Sequence, residues 1–339
     1  DIAARECGFD RIDLRRRNLL TQEELPHTNP FGLTYDSGAY HEVMDDALKL
    51  GDWAGYAQRQ RDARERGKRR GIGIANYVDT STGVPRERAD VTIHGEGKVD
   101  VVLGVPSQGQ GHETSFAMVT ANALGIPAER VKVRQGDADR SVTMIGNHSG
   151  GSRTMVGAGT VCHIAANKLI DAGKSLAAEG LGVEPSQVNY SKGEFSSPHS
   201  KKKITLAQLA ATKKLSVVGE GTFTSTYPNG CHIAEVEIDP DTGVTEIASY
   251  LSVDDCGHVV SHTIVEGQMH GAVVQGLGQV FGEHIVYDKD TGQMITGSFS
   301  DYILPRATLT KVAVGFIAAN AAALIRPVVS GVSAQASTT

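Results

Sequence analysis

The octet Ser107-Gln108-Gly109-Gln110-Gly111-His112-Glu113-Thr114 constrains this chain more than any other stretch of it. It follows the apolar run Lys98 to Val105 and leads into Thr114 to Leu124, where apolar residues recur on a helical period and stop at Gly125. The octet is therefore expected where a strand ends and a helix begins. The N–H groups of a first helical turn have no partner inside the helix, so such a junction suits an anion or a polar cofactor. Glycines let backbone approach a ligand closely, and a glutamine beside them offers a carbonyl and an amide together. A nucleotide fold is the weaker reading, because Gly109-Gln110-Gly111 lacks the Lys-Ser/Thr of a Walker loop and the later glycine of a dinucleotide fingerprint. A plain tight turn would still account for Gly109 and Gly111.

Two further segments share this chemistry. Ser149-Gly150-Gly151-Ser152-Arg153-Thr154 joins bare backbone donors to hydroxyls and a guanidinium, equipment for a pyrophosphate, directly ahead of a long helix expected over Gly157 to Leu181. Glu266-Gly267-Gln268 lies in a Gly- and Ala-rich helix expected over Val265 to Gly282, after Asp254-Asp255-Cys256-Gly257 and before Gln275-Gly276-Leu277-Gly278. Glu113, the acid inside the octet, reads more simply as a helix-dipole partner than as a base.

Around these segments the pattern mixes helices with hairpins. Helical spacing runs from Ile2 to Leu20 with a break at Gly8, and again over about Tyr40 to Gly67 after a candidate cap at Asp36-Ser37-Gly38. Gly71 to Tyr77 is a short apolar run, and Val131-Lys132-Val133 reads as a strand leading to Gly136-Asp137. Hairpins are expected around Gly95-Glu96-Gly97, Ser191-Lys192-Gly193 and Asp239-Pro240-Asp241-Thr242-Gly243. The sum is an α+β (mixed α/β) architecture rather than an alternating doubly wound sheet.

A net charge of -6 gives no basic footprint for nucleic acid or an anionic membrane. Arg59, Arg61, Arg64, Arg66, Lys68, Arg69 and Arg70 cluster, but with Asp62 and Glu65 interleaved they read as a solvated helix face. Cys7, Cys162, Cys231 and Cys256 have no C-x-x-C spacing, so a zinc or iron–sulfur site built from this chain is not expected, and buried free thiols in a reducing, cytoplasmic setting are. His112, His258, His262 and His270 lack metal-site spacing and are expected to be hydrogen-bonded structural residues. The longest apolar run, Val312 to Ile325, falls short of a bilayer span. The chain opens at Asp1 with a sequence already resembling the interior of a fold, so a cut N-terminus is expected.

Together the three small-residue segments resemble the large, molybdopterin-binding subunit of the molybdenum hydroxylases, the group of xanthine dehydrogenase, aldehyde oxidase and aerobic carbon monoxide dehydrogenase. The resemblance spans roughly Ile2 to Arg306 and covers only the second half of such a subunit. It implies residues 1–42 as a remnant of a first molybdopterin-binding domain, 43–306 as a second, and 307–339 as an atypical tail. By resemblance, Gln108, Gly109, Gln110, Gly150, Gly151, Ser152, Arg153, Thr154 and Gln268 would contact a molybdenum-pyranopterin, in its cytosine dinucleotide form, while Gln275 packs or caps. Iron–sulfur clusters and FAD would sit on partner subunits, a small and a medium one, and the front half could be a separate chain. The family's glutamate base would fall near Ala334 or Gln335, yet Ala307 to Thr339 holds no Asp or Glu, so the catalytic residue is unknown and the chain alone is expected to be incompetent. The alternative is a non-catalytic scaffold or assembly subunit that keeps the fold without metal.

Overall fold

In a computed structural model, residues 1–81, 83–136, 146–305 and 314–316 are described. Asp137, Arg306, and Ala334 and Gln335 of the tail lie outside them. The described residues form two units, Asp1–Asp79 with those from Pro228 onward, and Thr80–Tyr227. Strands and helices are numbered along the chain.

The first unit opens with α1 (Ile2–Cys7) and α2 (Arg11–Arg16), separated at Gly8, whose φ of 72° ends α1. A small hairpin of β1 (His27–Thr28) and β2 (Thr34–Tyr35) precedes α3 (Tyr40–Leu50) and α4 (Tyr56–Glu65). The expected single helix over 40–67 is thus two, broken at Gly51-Asp52, where Asp52 takes a left-handed φ of 44°. The expected cap is also displaced: Ala39 is the N-cap of α3 and offers no side chain, and the Asp255 carboxylate accepts the Ala39 N–H. Four strands in the order β13-β12-β11-β3 form the sheet: β3 (Arg69–Val78), β11 (Asn229–Ile238), β12 (Thr245–Asp255) and β13 (Val314–Phe316). β11 and β12 are the hairpin expected around Asp239 to Gly243. Alternation along these strands sends Ile74, Cys231, Ile233 and Val253 to one face, where Val43, Met44 and Ala47 of α3 cover them. α8 (His262–Phe281) completes the unit with only Val273 and Gly278 buried.

The second unit is built on a four-stranded sheet in the order β10-β4-β5-β6. Its strands are β4 (Val84–Ile93), β5 (Val99–Leu103), β6 (Val131–Gln135) and β10 (Leu215–Phe223). β4 and β5 are the hairpin expected at Gly95 to Gly97; β5 and β6 run parallel, with α5 (His112–Leu124) crossing between them. The long α6 (Thr160–Leu181) covers the sheet with Val161, Ala165 and Leu169 fully buried. A three-stranded meander, β7 (Asn189–Ser191), β8 (Glu194–Ser197) and β9 (Ser200–Thr205), and the short α7 (Leu206–Thr212) close the core around Phe195. β9, α7 and β10 carry too little periodic signal to be read from sequence.

Among the described residues no helix is long and apolar enough to cross a membrane. All four cysteines are free; Cys162 and Cys231 are buried as expected, but Cys7 and Cys256 are exposed.

α6 and β10 approach so closely at Gly219 that an added Cβ would collide with the carbonyl oxygen of Val161 and crowd the backbone N of Ala165. Backbone cannot step aside as a flexible side chain can. Gly219→Ala is expected to cost roughly 1–3 kcal/mol in denaturant unfolding, as overpacking does. Gly73→Ala, where a Cβ meets nothing within 4 Å, is the silent control.

Candidate functional site

The octet occupies the connection from β5 to α5, as its sequence implies. Val101, Leu103 and Val105 anchor the strand end in the core, and Phe116 and Leu124 anchor the helix. The turn between them depends on two left-handed residues, Gly109 at φ 96° and Gly111 at φ 76°, the second being the N-cap of α5. The space where a Cβ of Gly109 would sit is open to 4 Å, so backbone there is approachable. Gln108 and Gly109 are exposed, whereas Gln110 is half-buried and bonded at both ends. Its Oε1 accepts the Gln108 N–H at 2.7 Å, and its Nε2 donates to Ser149 Oγ at 2.8 Å.

That second bond ties the octet to the loop before α6. Ser149 Oγ also lies 3.2 Å from Thr154 Oγ1, so Gln110, Ser149 and Thr154 form one chain of polar groups. Gly150, Gly151 and Ser152 are exposed, and Gly151 (φ 59°) and Ser152 (φ 56°) are both left-handed. Two successive residues in that region curl the backbone sharply, and the non-glycine one is strained. Arg153 is buried, its Nη2 2.8 Å from His148 Nδ1 and within 3.3 Å of the His148 carbonyl. A π-helical turn, Met155–Gly159, then leads into α6; such turns recur at functional sites.

One residue here is absent from the sequence reading. Glu87 on β4 is only 2% exposed, and its Oε2 faces the N–H and the Nδ2 of Asn147 at 3.4 and 3.5 Å. Its Oε1 is buried without a hydrogen-bond partner among the described residues. Burial pushes this carboxyl above the usual carboxylate range, the Asn147 contacts and Arg153 opposing. Alternation was the available signal: Ala89, Val91 and Ile93 face inward, and counting back by two reaches Glu87.

His112, at the start of α5, is buried, and desolvation lowers its pKa, which favours neutral imidazole. Its Nδ1 is 3.5 Å from Gln135 Nε2, in keeping with a structural role. Glu113 is exposed in the first turn, with Ser107 Oγ donating at 3.4 Å. Among the described residues no group of three or more His, Cys, Asp or Glu could hold a metal ion.

Gln268 belongs to the first unit, where it is exposed on α8. Gln275 on the same helix is also exposed and so does not pack as expected. The segment before α8 is held firmly. Asp254 Oδ1 receives Tyr77 Oη at 2.7 Å and meets His232 Nε2 at 3.1 Å, and Asp255 Oδ1 accepts the Gly257 N–H at 3.1 Å.

The second unit thus joins two of the three segments into one polar surface of glycine backbone, amides and hydroxyls. No metal cage is present among its described residues. Comparison with known proteins gives this surface a context: residues 46–310 match the model of the molybdopterin cofactor-binding domain. The chain belongs to the molybdopterin cofactor-binding domain family. Among curated relatives, it is 33% identical over 333 residues to the nicotine 6-hydroxylase large subunit of Paenarthrobacter nicotinovorans, covering 90% of this chain and 40% of that one. It is 31% identical to the carbon monoxide dehydrogenase large chain of Afipia carboxidovorans, covering 91% of this chain and 41% of the relative. Among solved structures, quinoline 2-oxidoreductase of Pseudomonas putida superposes with a TM-score of 0.85 at 28% identity, over 98% of this chain and 45% of that one. The molybdopterin-binding chain described here therefore spans less than half the length of the relatives it matches.

Proposed function

We propose that this chain is the cofactor-binding part of a molybdenum hydroxylase large subunit that oxidises an N-heterocycle, an aldehyde or carbon monoxide. The observation that carries the reading is the Gln110–Ser149–Thr154 contact, which joins two cofactor-type loops from 39 residues apart in a chain of this family. The residues suit a molybdenum-pyranopterin: exposed Gly109 and Gly150 to Ser152 offer backbone donors, and Gln108 and Gln110 offer paired donor and acceptor groups. When bound, that cofactor supplies two-electron oxidation with water as the oxygen source.

The chain's own residues bind and orient. Gln110 sets the spacing of the two loops, Thr154 and Ser149 present hydroxyls, and Arg153 fixes His148 and with it the loop's path. Gln268 is proposed as a contact from the first unit, and the dinucleotide form as the cytosine one. The proposed division remains 1–42, 43–306 and 307–339, with the base supplied from outside the described residues. Turnover is proposed to require more chain than this, with iron–sulfur and FAD subunits carrying electrons away.

The test is the molybdenum and pterin content of the chain, purified alone and after co-expression with its genomic neighbours. Near-stoichiometric pterin and molybdenum in the co-expressed material is expected. Protein that folds and assembles with those neighbours but holds neither overturns the reading in favour of a scaffold subunit.

A further inference from the structure

Glu87 is a charge-bearing side chain at a core position, and the loop that bears the candidate site hangs from it. β4 alternates Ala89, Val91 and Ile93 into a core with no more than 3% exposure, and Glu87 continues that inward row. Burying a carboxylate there is costly unless it is fully paired. The pairing is one-sided. Oε2 faces two donors of Asn147, the backbone N–H and Nδ2, and Asn147 Nδ2 also reaches the Arg86 carbonyl, so strand and loop are joined through this one asparagine. Oε1 has no partner among the described residues. On the other side stands α6, whose Cys162 is fully buried, abuts Thr120 of α5 and lies in the field of Glu87. Thr120 Oγ1 is likewise buried, with the Cys162 thiol as its neighbour. A buried oxygen left without a partner is what an internal water satisfies, since such waters typically make about three hydrogen bonds to buried polar groups.

We propose that Glu87 is a positioning residue for the loop 146–154 and that it works as a protonated acid, its Oε2 receiving Asn147 and its Oε1–H donating to an internal water. The two oxygens then have distinct duties: the carbonyl oxygen faces donors and the hydroxyl faces the water. An ionised carboxylate would leave Oε1 with nothing to accept except that water, in line with the buried row of Ala89, Val91 and Ile93. Among the described residues, the charged or titratable groups facing Glu87 are Arg153 from the loop and Cys162 from α6. The Cys162 thiol is pushed up to about 12 and stays neutral, so Arg153 is the opposing influence. A carboxyl held neutral by burial stabilises the folded state below its unfolded pKa, and that contribution disappears as pH rises through the raised folded value. The loop should therefore loosen as pH rises through the raised carboxyl value, and this loosening should depend on Glu87.

The inference deepens the cofactor reading, because the loop it positions is the one proposed to bind the pterin, yet its test needs no cofactor. Amide hydrogen-exchange protection of residues 146–154, corrected for intrinsic rates, is measured across pH on the cofactor-free chain for wild type, Glu87→Gln and Glu87→Leu. Glu87→Gln reproduces a neutral acid in shape and in donor and acceptor, so it should match wild type at low pH and keep its protection when wild type loses several-fold as pH rises through the raised carboxyl value. Glu87→Leu should lose protection at every pH. An infrared carbonyl stretch of a protonated carboxyl, persisting in wild type above the usual carboxylate range and absent from Glu87→Gln, should accompany this, and wild type alone suffices for its pH dependence if a variant fails to fold. If Glu87→Gln loosens the loop as much as Glu87→Leu, or wild type shows no protonated carboxyl band, Glu87 is an ionised partner of Arg153 and the proposal is wrong. A chain with the Glu87 signature that retains no pterin sinks the cofactor reading alone.

Discussion

Replacing Glu235 with alanine is expected to remove about 3 kcal/mol of stability from the first unit, toward the lower end of what breaking a buried ion pair costs. Glu235 lies on β11 with its side chain 3% exposed, between two guanidinium groups. Arg70 Nε reaches its Oε2 at 2.6 Å, and Arg59 Nε lies 3.1 and 3.2 Å from its two oxygens. Alanine would strand both cations against the sheet. The lower end applies because each keeps a fallback: Arg59 has Asp52 and the carbonyl of Gly51, and Arg70 has Glu237 at 2.8 Å. The pair Glu235→Leu with Arg70→Met should cost less than Glu235→Ala alone, since it removes a charge together with its partner. Urea unfolding of the two variants beside wild type decides the matter; a loss below about 1 kcal/mol for Glu235→Ala would place this cluster among ordinary surface pairs.

That cluster also marks where sequence reasoning stopped. The basic run 59–70 reads as a solvated face, and part of it is, with Arg61 and Arg64 exposed partners of Gln58 and Gln60 on the same helix. Arg59, Arg66, Lys68 and Arg70 instead meet Glu235, Glu237 and Asp239. Ala63, fully buried, shows which face of α4 turns inward, and Arg59 and Arg66 flank it at helical spacing. The acids alternate along β11 on the face that carries Cys231 and Ile233 nearer its start. Each stripe is visible alone. Their meeting depends on which strand pairs with β3, a contact about 165 residues distant that no local pattern encodes.

The elements themselves were more legible, because helices and hairpins write local signals. Gly8, Gly125 and Gly182 end helices at positive φ, and the turns at Gly97, Lys192-Gly193 and Gly243 are left-handed where the sequence places them. Strands without alternation, such as Ser200–Thr205 with its three consecutive lysines, left no such trace. At the site, residue types announced the two loops, but not that one glutamine would join them. Gln110 presents the same composition whether it faces a ligand, a loop or water; only its neighbours in space select the role.

Gln110→Ala is accordingly expected to have the largest effect on the site. It deletes the acceptor for the Gln108 N–H and the donor to Ser149 Oγ, two bonds that hold the octet in shape and moor it to the second loop. Two neutral hydrogen bonds of about 0.5–1.5 kcal/mol each correspond to roughly a 10- to 100-fold weaker retention of a ligand that needs both loops in place. The cofactor-free protein should report the same loss independently, as faster amide exchange in both the octet and residues 147–154, with global stability little changed because Gln110 lies outside the core. Ser149→Ala removes the second of the two bonds and the contact with Thr154, so it should free the loop before α6 while leaving the octet protected. A double-mutant cycle between the two positions should show coupling of about 0.5–1.5 kcal/mol, since neither side chain can make the shared bond alone. If the effects of the two substitutions simply add, the loops are held by their own turns, and the Gln110 amide is then free to be spent entirely on a ligand.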